Sequence, residues 1–282
     1  MSRVLSLAKY QASGNDFIVV DEIDERAGTL DVPALCDRWV GVGADGLIRV
    51  SRGSSVPYRF DLTNADGSAA QMSGNGLRCM AAFLRERGYV DAGSVDVETP
   101  AGVRRTTFTD DGSLVTMGAP NFTKAAIPMR GPAWETFLQQ PLDVGGLILT
   151  ASALSMGNPH VVLFLDEDPE RYHVEHMGPA LEHHDLFPER TNVEFALVGS
   201  DGTIDVRVWE RGVGETLACG TGACAVAVAA NEAGLAPAST TVRFRGGPLT
   251  VERREDGDVI LGGPVTHVFD ATVDPDSLGS SM

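Results

Sequence analysis

The chain has 282 residues, a formal charge of −17 and 43% hydrophobic residues, the profile of a soluble globular protein long enough for one large domain or two ordinary ones. The acidic balance disfavours nucleic acid and anionic membranes as partners, and no apolar run approaches the length needed to span a bilayer. The first nine residues are too short and interrupted for a signal peptide, so a cytoplasmic location is expected.

The only lysines are Lys9 and Lys124 against twenty arginines, and neither sits in a motif for a Schiff base, so no pyridoxal cofactor is expected. The four cysteines show no paired spacing for zinc or for a disulfide framework, so no metal is expected either. Cys36, Cys79 and Cys224 read as small buried hydrophobes.

In chain order, Gly14-Asn15-Asp16-Phe17 is a turn entering a hydrophobic strand, and 59–64 reads as a second strand closing on Asn64. Ser73-Gly74-Asn75-Gly76 then opens a helix whose Leu77, Met80, Ala81 and Leu84 keep helical spacing, with Gly88 as its stop. Short strands follow at 94–98, 103–108 and 114–117. Periodicity lapses over 118–132, where a domain link is expected. Beyond a strand at 146–150, Gly157-Asn158-Pro159-His160 again enters a hydrophobic strand, and 205–210 closes on Glu210. Cys219-Gly220-Thr221-Gly222 opens a second helix, over 223–231, whose alanines and valines predict burial on most sides. Strands at 241–244, 249–252 and 259–261 precede a frayed tail at 274–282.

The two halves repeat. Ser73 and Cys219 are 146 residues apart, as are Asn64 and Glu210, while the Gly-Asn turns are 143 apart. Three matches in one order argue for duplication. A glycine-rich turn into a helix presents unpaired N–H groups to an anion such as a carboxylate. A side-chain acid/base at the first position of each turn could remove a proton from one face of a carbon and return one to the other. From the residues alone, Asn15, Asn64 and Asn158 also fit ordinary turn chemistry, His160 a structural histidine, Arg211 a surface charge, and His183-His184 a solvated loop pair.

These segments, with Thr191-Asn192-Val193-Glu194-Phe195 and Glu210-Arg211-Gly212-Val213-Gly214-Glu215-Thr216-Leu217-Ala218-Cys219, resemble the diaminopimelate epimerase family in order from about residue 10 to about residue 270. The resemblance implies an α+β fold of two pseudo-symmetric domains, each a mostly antiparallel or mixed sheet wrapped around a central helix, with the active site in the cleft between them. The domains would be residues 1–120, completed by a strand at 263–273, and residues 121–262. It implies cofactor-independent interconversion of LL- and meso-diaminopimelate, a small amino acid substrate and a homodimer. By the same resemblance Cys219 and position 73 are the acid/base pair. The N–H groups of Gly74, Asn75, Gly220 and Thr221 hold the reacting carboxylate, and Asn15, Asn64, Asn158, Asn192 and Arg211 read the amino and distal carboxylate groups. His160 and Glu210 adjust protonation of the pair.

The family has cysteine at position 73, and this chain has Ser73. An alcohol is a far weaker acid than a thiol, whose pKa is about 8.5. The substitution leaves three readings open: an inactivated or altered diaminopimelate epimerase, an epimerase, racemase or eliminating enzyme for another amino acid, and a non-catalytic binding protein on the same scaffold.

Overall fold

The computed structural model describes residues 4–277 except Gln71, Ala92, Asp110 and Asp111. These residues divide into two compact units, Met1–Val115 with Gly263–Met282 and Thr116–Gly262.

In the first unit, β1 (Leu5–Ala12) pairs antiparallel with β2 (Asn15–Glu22) across a turn in which Ser13 and Gly14 take positive φ of 53° and 80°. A short helix, α1 (Val32–Cys36), leads to β3 (Gly46–Arg52), parallel to β2. Next come β4 (Tyr58–Asn64), antiparallel to β3, and the two-residue β5 (Ala69–Ala70). Helix α2 (Gly74–Glu86) follows, then β6 (Ser94–Thr99), β7 (Gly102–Thr109) and β8 (Gly112–Gly118) as an antiparallel meander, with β6 parallel to β4.

The second unit repeats this plan. β9 (Phe137–Val144) and β10 (Leu147–Ser155) pair antiparallel, and β11 (Pro159–Phe164) joins β10. In the place of the short α1 stands a longer helix, α3 (Val174–Glu182), before β12 (Asn192–Val198) runs parallel to β11. β13 (Ile204–Glu210) and β14 (Gly214–Thr216) precede α4 (Gly220–Glu232), and β15 (Ser239–Phe244), β16 (Gly247–Arg253) and β17 (Val259–Gly263) close the meander. The last strand, β18 (Thr266–Val273), pairs with β1 as β9 pairs with β10.

In each unit the strands surround a 13-residue helix, α2 or α4. Residues 220–230 of α4 are all buried, which explains why that helix is built from small side chains: alanine and glycine let strands approach from several sides. Helix α2 keeps a polar end at Arg85 and Glu86. Two further cores lie on the other faces. Leu35 of α1 packs with Leu5, Ile18 and Leu47, and Val174 and Leu181 of α3 pack with Val161 and Phe195.

One expectation needs correction. The strand at 146–150 runs on to Ser155, because 151–155 are buried on both sides and carry no alternation for a sequence reading to follow. His183 and His184 lie past the end of α3, the first exposed and the second half-buried; His183 Nδ1 is 3.0 Å from the Pro179 carbonyl and His184 Nε2 2.8 Å from the Asp143 carbonyl. Of the expected tail, Pro275–Ser277 form a single 3-10 turn and 278–282 lie outside the described residues. Among the described residues no helix is long and apolar enough to cross a membrane.

Candidate functional site

Ser73 and Cys219 are the N-caps of α2 and α4. Each has extended backbone, φ −146° and −130°, and each side chain accepts the N–H of the residue three positions on: Gly76 N–H to Ser73 Oγ at 3.0 Å, Gly222 N–H to Cys219 Sγ at 3.4 Å. The first intrahelical bonds, Leu77 to Ser73 and Ala223 to Cys219, are both 2.9 Å. The N–H groups of Gly74, Asn75, Gly220 and Thr221 come before them, at the positive end of each helix. Phe60 Cζ would lie 3.0 Å from a Cβ at Gly76, so the glycine there makes room for the strand beneath the turn.

Around Cys219 the second unit gathers titratable groups. Glu210 accepts the Thr216 hydroxyl and hydrogen-bonds the thiol, and burial raises its carboxyl above the ordinary range. Burial also pushes the Cys219 thiol well up, with the neighbouring Glu210 and Glu194 carboxyl groups adding to it and hydrogen bonds from Thr221 and Gly222 opposing. His160 and Glu194 are wholly buried, with Nδ1 2.6 Å from Oε1. His160 Nε2 lies 3.0 Å from Asn158 Oδ1, Asn158 Nδ2 donates to Thr221 Oγ1 at 3.2 Å, and Thr221 Oγ1 is 3.4 Å from Cys219 Sγ.

The first unit has no such set at the matching places. β2 is parallel to β3 with Phe17 opposite Gly46, and β11 is parallel to β12 with His160 opposite Asn192. Leu62 faces Ala70 as Val208 faces Thr216. By that register Phe17 stands for His160, Ile48 for Glu194 and Asn64 for Glu210. What remains near the α2 turn is an amide chain: Arg78 donates to Asn75 Oδ1 at 2.7 Å, Asn75 Nδ2 to Asn15 Oδ1 at 3.4 Å, and Asn15 Nδ2 to Asp45 Oδ2 at 2.6 Å. Arg78 is fully buried one turn behind the cap.

The other expected site residues sit as follows. Asn64 ends β4 and donates to Ser68 Oγ at 3.0 Å, the ordinary turn use of an asparagine. Asn192 is buried with both ends of its amide on backbone, Nδ2 to the Pro159 carbonyl at 2.8 Å and Oδ1 from the Arg211 N–H at 2.9 Å. The exposed Arg211 guanidinium reaches the Glu189 carbonyl at 3.2 Å. Thus Asn158, His160, Glu210, Thr221 and Cys219 are brought together in one unit, and Asn15, Asn75 and Ser73 lie along the repeated turn of the other. Sequence reasoning assigned no role to Glu194, although a carboxylate inside the apolar run Val193 to Val198 is a legible anomaly. The Thr221 side chain and the buried Arg78 were missed as well.

A family profile described as diaminopimelate epimerase matches residues 7–123 and 152–268. The chain is 42% identical to the diaminopimelate epimerase of Pelotomaculum thermopropionicum, covering 94% of this chain and 97% of that one. It is 44% identical to that of Desulforudis audaxviator, covering 94% and 98%. The chloroplastic diaminopimelate epimerase of Oryza sativa subsp. japonica is 42% identical, over 95% of this chain and 79% of its own. Among solved structures, a hydroxyproline epimerase from Agrobacterium vitis superposes with a TM-score of 0.71 at 16% identity, covering 96% of this chain and 91% of that one. A phenazine biosynthesis protein from Clostridium difficile gives 0.67 at 13% identity, covering 95% and 99%. Those two likenesses establish the α+β fold alone.

Proposed function

Because the chain belongs to the diaminopimelate epimerase family, we propose that it removes and returns the α-proton of diaminopimelate without a cofactor, with Cys219 as its competent acid/base. One observation supports this reading above the rest. His160, Glu194, Glu210 and Cys219 lie together in the second unit, while the register-equivalent Phe17, Ile48 and Asn64 cannot titrate near Ser73.

In the forward step the Cys219 thiolate takes the α-proton and becomes the thiol, and the electron pair left on the α-carbon delocalises into the substrate carboxylate. The N–H groups of Gly220 and Thr221 take up part of that charge, and Gly74 and Asn75 offer the same donors at the equivalent turn. In the second unit Asn158 and Arg211 supply polar contacts for the amino and distal carboxylate groups, Asn192 holds the Arg211 backbone, and Glu210 and His160 tune the thiol. Return of a proton from Ser73 would leave an alkoxide where no carboxylate or imidazole occupies the matching positions. Reprotonation therefore comes chiefly from the Cys219 thiol, to the face the proton left, and carries a solvent hydrogen once the thiol has exchanged.

Incubation with LL- and meso-diaminopimelate in deuterated water tests this. The expected result is α-deuterium incorporation with little inversion, from one stereoisomer in preference to the other. Ser73→Cys is expected to raise the rate of inversion by orders of magnitude. Absence of both exchange and binding with either stereoisomer would overturn the assignment.

A further inference from the structure

The chain of polar contacts from Glu194 to Cys219 has a direction. Asn158 turns its oxygen to His160 and its nitrogen to Thr221. An amide oxygen accepts, so His160 Nε2 must carry a hydrogen. The amide N–H occupies Thr221 Oγ1 as acceptor, which leaves the threonine O–H free to donate to Cys219 Sγ, 3.4 Å away. Every donor in the row points toward the sulfur.

What fixes the far end is Glu194. Its side chain is wholly buried, its Oε1 is 2.6 Å from His160 Nδ1, and its Oε2 has no hydrogen-bond partner among the described residues. An ionised carboxylate with one oxygen unpartnered in a buried position is costly, and Glu210 is a second acidic group in the same cluster. Burial accordingly pushes the Glu194 carboxyl above the ordinary range, against the opposing pull of His160. Gly222 makes the placement possible: a Cβ there would stand 2.9 Å from Glu194 Oε1. At the corresponding place in the first unit stands Ile48, and no such chain is built.

We propose that Glu194 is a positioning residue that holds its proton, donates it to His160 Nδ1, and so keeps the ring hydrogen on Nε2, where it orients Asn158 and Thr221 to stabilise a thiolate at Cys219. No proton travels along the row, because an amide cannot relay one in place. The row sets polarity, and its ends are a neutral acid and a sulfur that alternates between thiol and thiolate. The groups acting on Cys219 are Glu210 on β13 and Glu194 on β12, together with Thr221 and Gly222 on its own helix, and His160 on β11 acts on Glu210 and Glu194. The inference rests on the reading of Cys219 as the acid/base of the proposed reaction, but its geometry lies within one unit.

The test uses the full chain and three readouts. Infrared difference spectra between the unmodified chain and Glu194→Gln at neutral pH should show a protonated carboxyl band that the substitution removes. Nitrogen-15 spectra of the histidine rings, with His160 identified by its loss in His160→Gln, should show a single hydrogen on Nε2, retained in Glu194→Gln, whose amide N–H can still donate to Nδ1. Thiolate absorbance of Cys219, taken against Cys219→Ser, should have its pH midpoint raised by about half to one unit in Glu194→Leu and in Thr221→Val, and restored in Glu194→Gln. Thr221→Val stands in should Glu194→Leu fail to fold. A ring with hydrogen on Nδ1 or on both nitrogens, no carboxyl band, or an unmoved midpoint in Thr221→Val would each overturn the proposal. These outcomes separate from the deuterium assay: exchange without the Nε2 signature sinks the positioning role alone, and the signature without exchange sinks the proposed reaction alone.

Discussion

Gly178 and Trp209 are in contact so close that no side chain fits between them: a Cβ on Gly178 would stand 2.5 Å from Trp209 Cδ2. Trp209 in turn donates from Nε1 to Glu182 Oε2 at 2.7 Å, and Glu182 Oε1 accepts the Gly212 N–H at 2.8 Å. Helix α3 thus buttresses the end of β13 and the turn beyond it, where Glu210 and Arg211 reside. Gly178→Ala is expected to lower stability by about 1 to 3 kcal/mol, the usual cost of overpacking. Urea unfolding measures it. The same variant should also weaken α-deuterium exchange, because the displaced indole is the neighbour of Glu210 in the chain.

Capping and catalysis at position 73 are separable. Ser73 Oγ accepts the Gly76 N–H at 3.0 Å, so Ser73→Ala should cost about 1 kcal/mol of stability. It should leave exchange through Cys219 close to that of the unmodified chain, since the loss is structural. Ser73→Cys should keep most of the stability, as Cys219 shows a thiol can fill the same cap at 3.4 Å. Thermal melts beside the inversion assay distinguish the two effects.

Stability should fall as pH rises above the ordinary carboxyl range. Glu194 and Glu210 are both raised by burial, so the folded chain retains protons that the unfolded chain has already released. Fewer protons on the unfolded state give a negative slope of stability with pH, beginning near the unfolded glutamate value and ending at the raised folded values. A second decline follows above the ordinary thiol range, from Cys219. Chemical denaturation at about pH 5 and about pH 8 should show the first decline, and Glu194→Gln should flatten it. A slope unchanged by that substitution would mean Glu194 titrates alike folded and unfolded.

Cys79 is wholly buried and pushed up to about 12 by burial, and Cys36 to about 11. Neither should form a mixed disulfide with a small aromatic disulfide at neutral pH in the folded state. Titration of the native chain followed by peptide mapping should find both free, and labelling of Cys79 before unfolding would contradict its burial.

The turns were the legible part of this sequence, because glycine and a small polar cap carry their conformational reason with them. Ser73, Cys219, Asn64 and Glu210 fall where the repeat and strand alternation put them, at helix starts and strand ends. The row through Asn158 and Thr221 was not legible. Its members are 63 residues apart and meet only through the strand order of the unit, which local periodicity does not encode. Glu194 lay in plain sight within an apolar strand, yet its meaning depends on His160, a neighbour across the parallel pairing of β11 and β12. Helix α3 was hidden by Pro179 in its middle and by the histidines at its ends.

The pairing of β1 with β18 has a consequence for how the chain is made. Synthesis delivers Thr116–Gly262 in full before Thr266–Val273 exists, so on the ribosome the second unit has all its strands while β1 still exposes a bare edge. The unit that begins first is finished last, and the edge of β1 stays open until the last strand has been made.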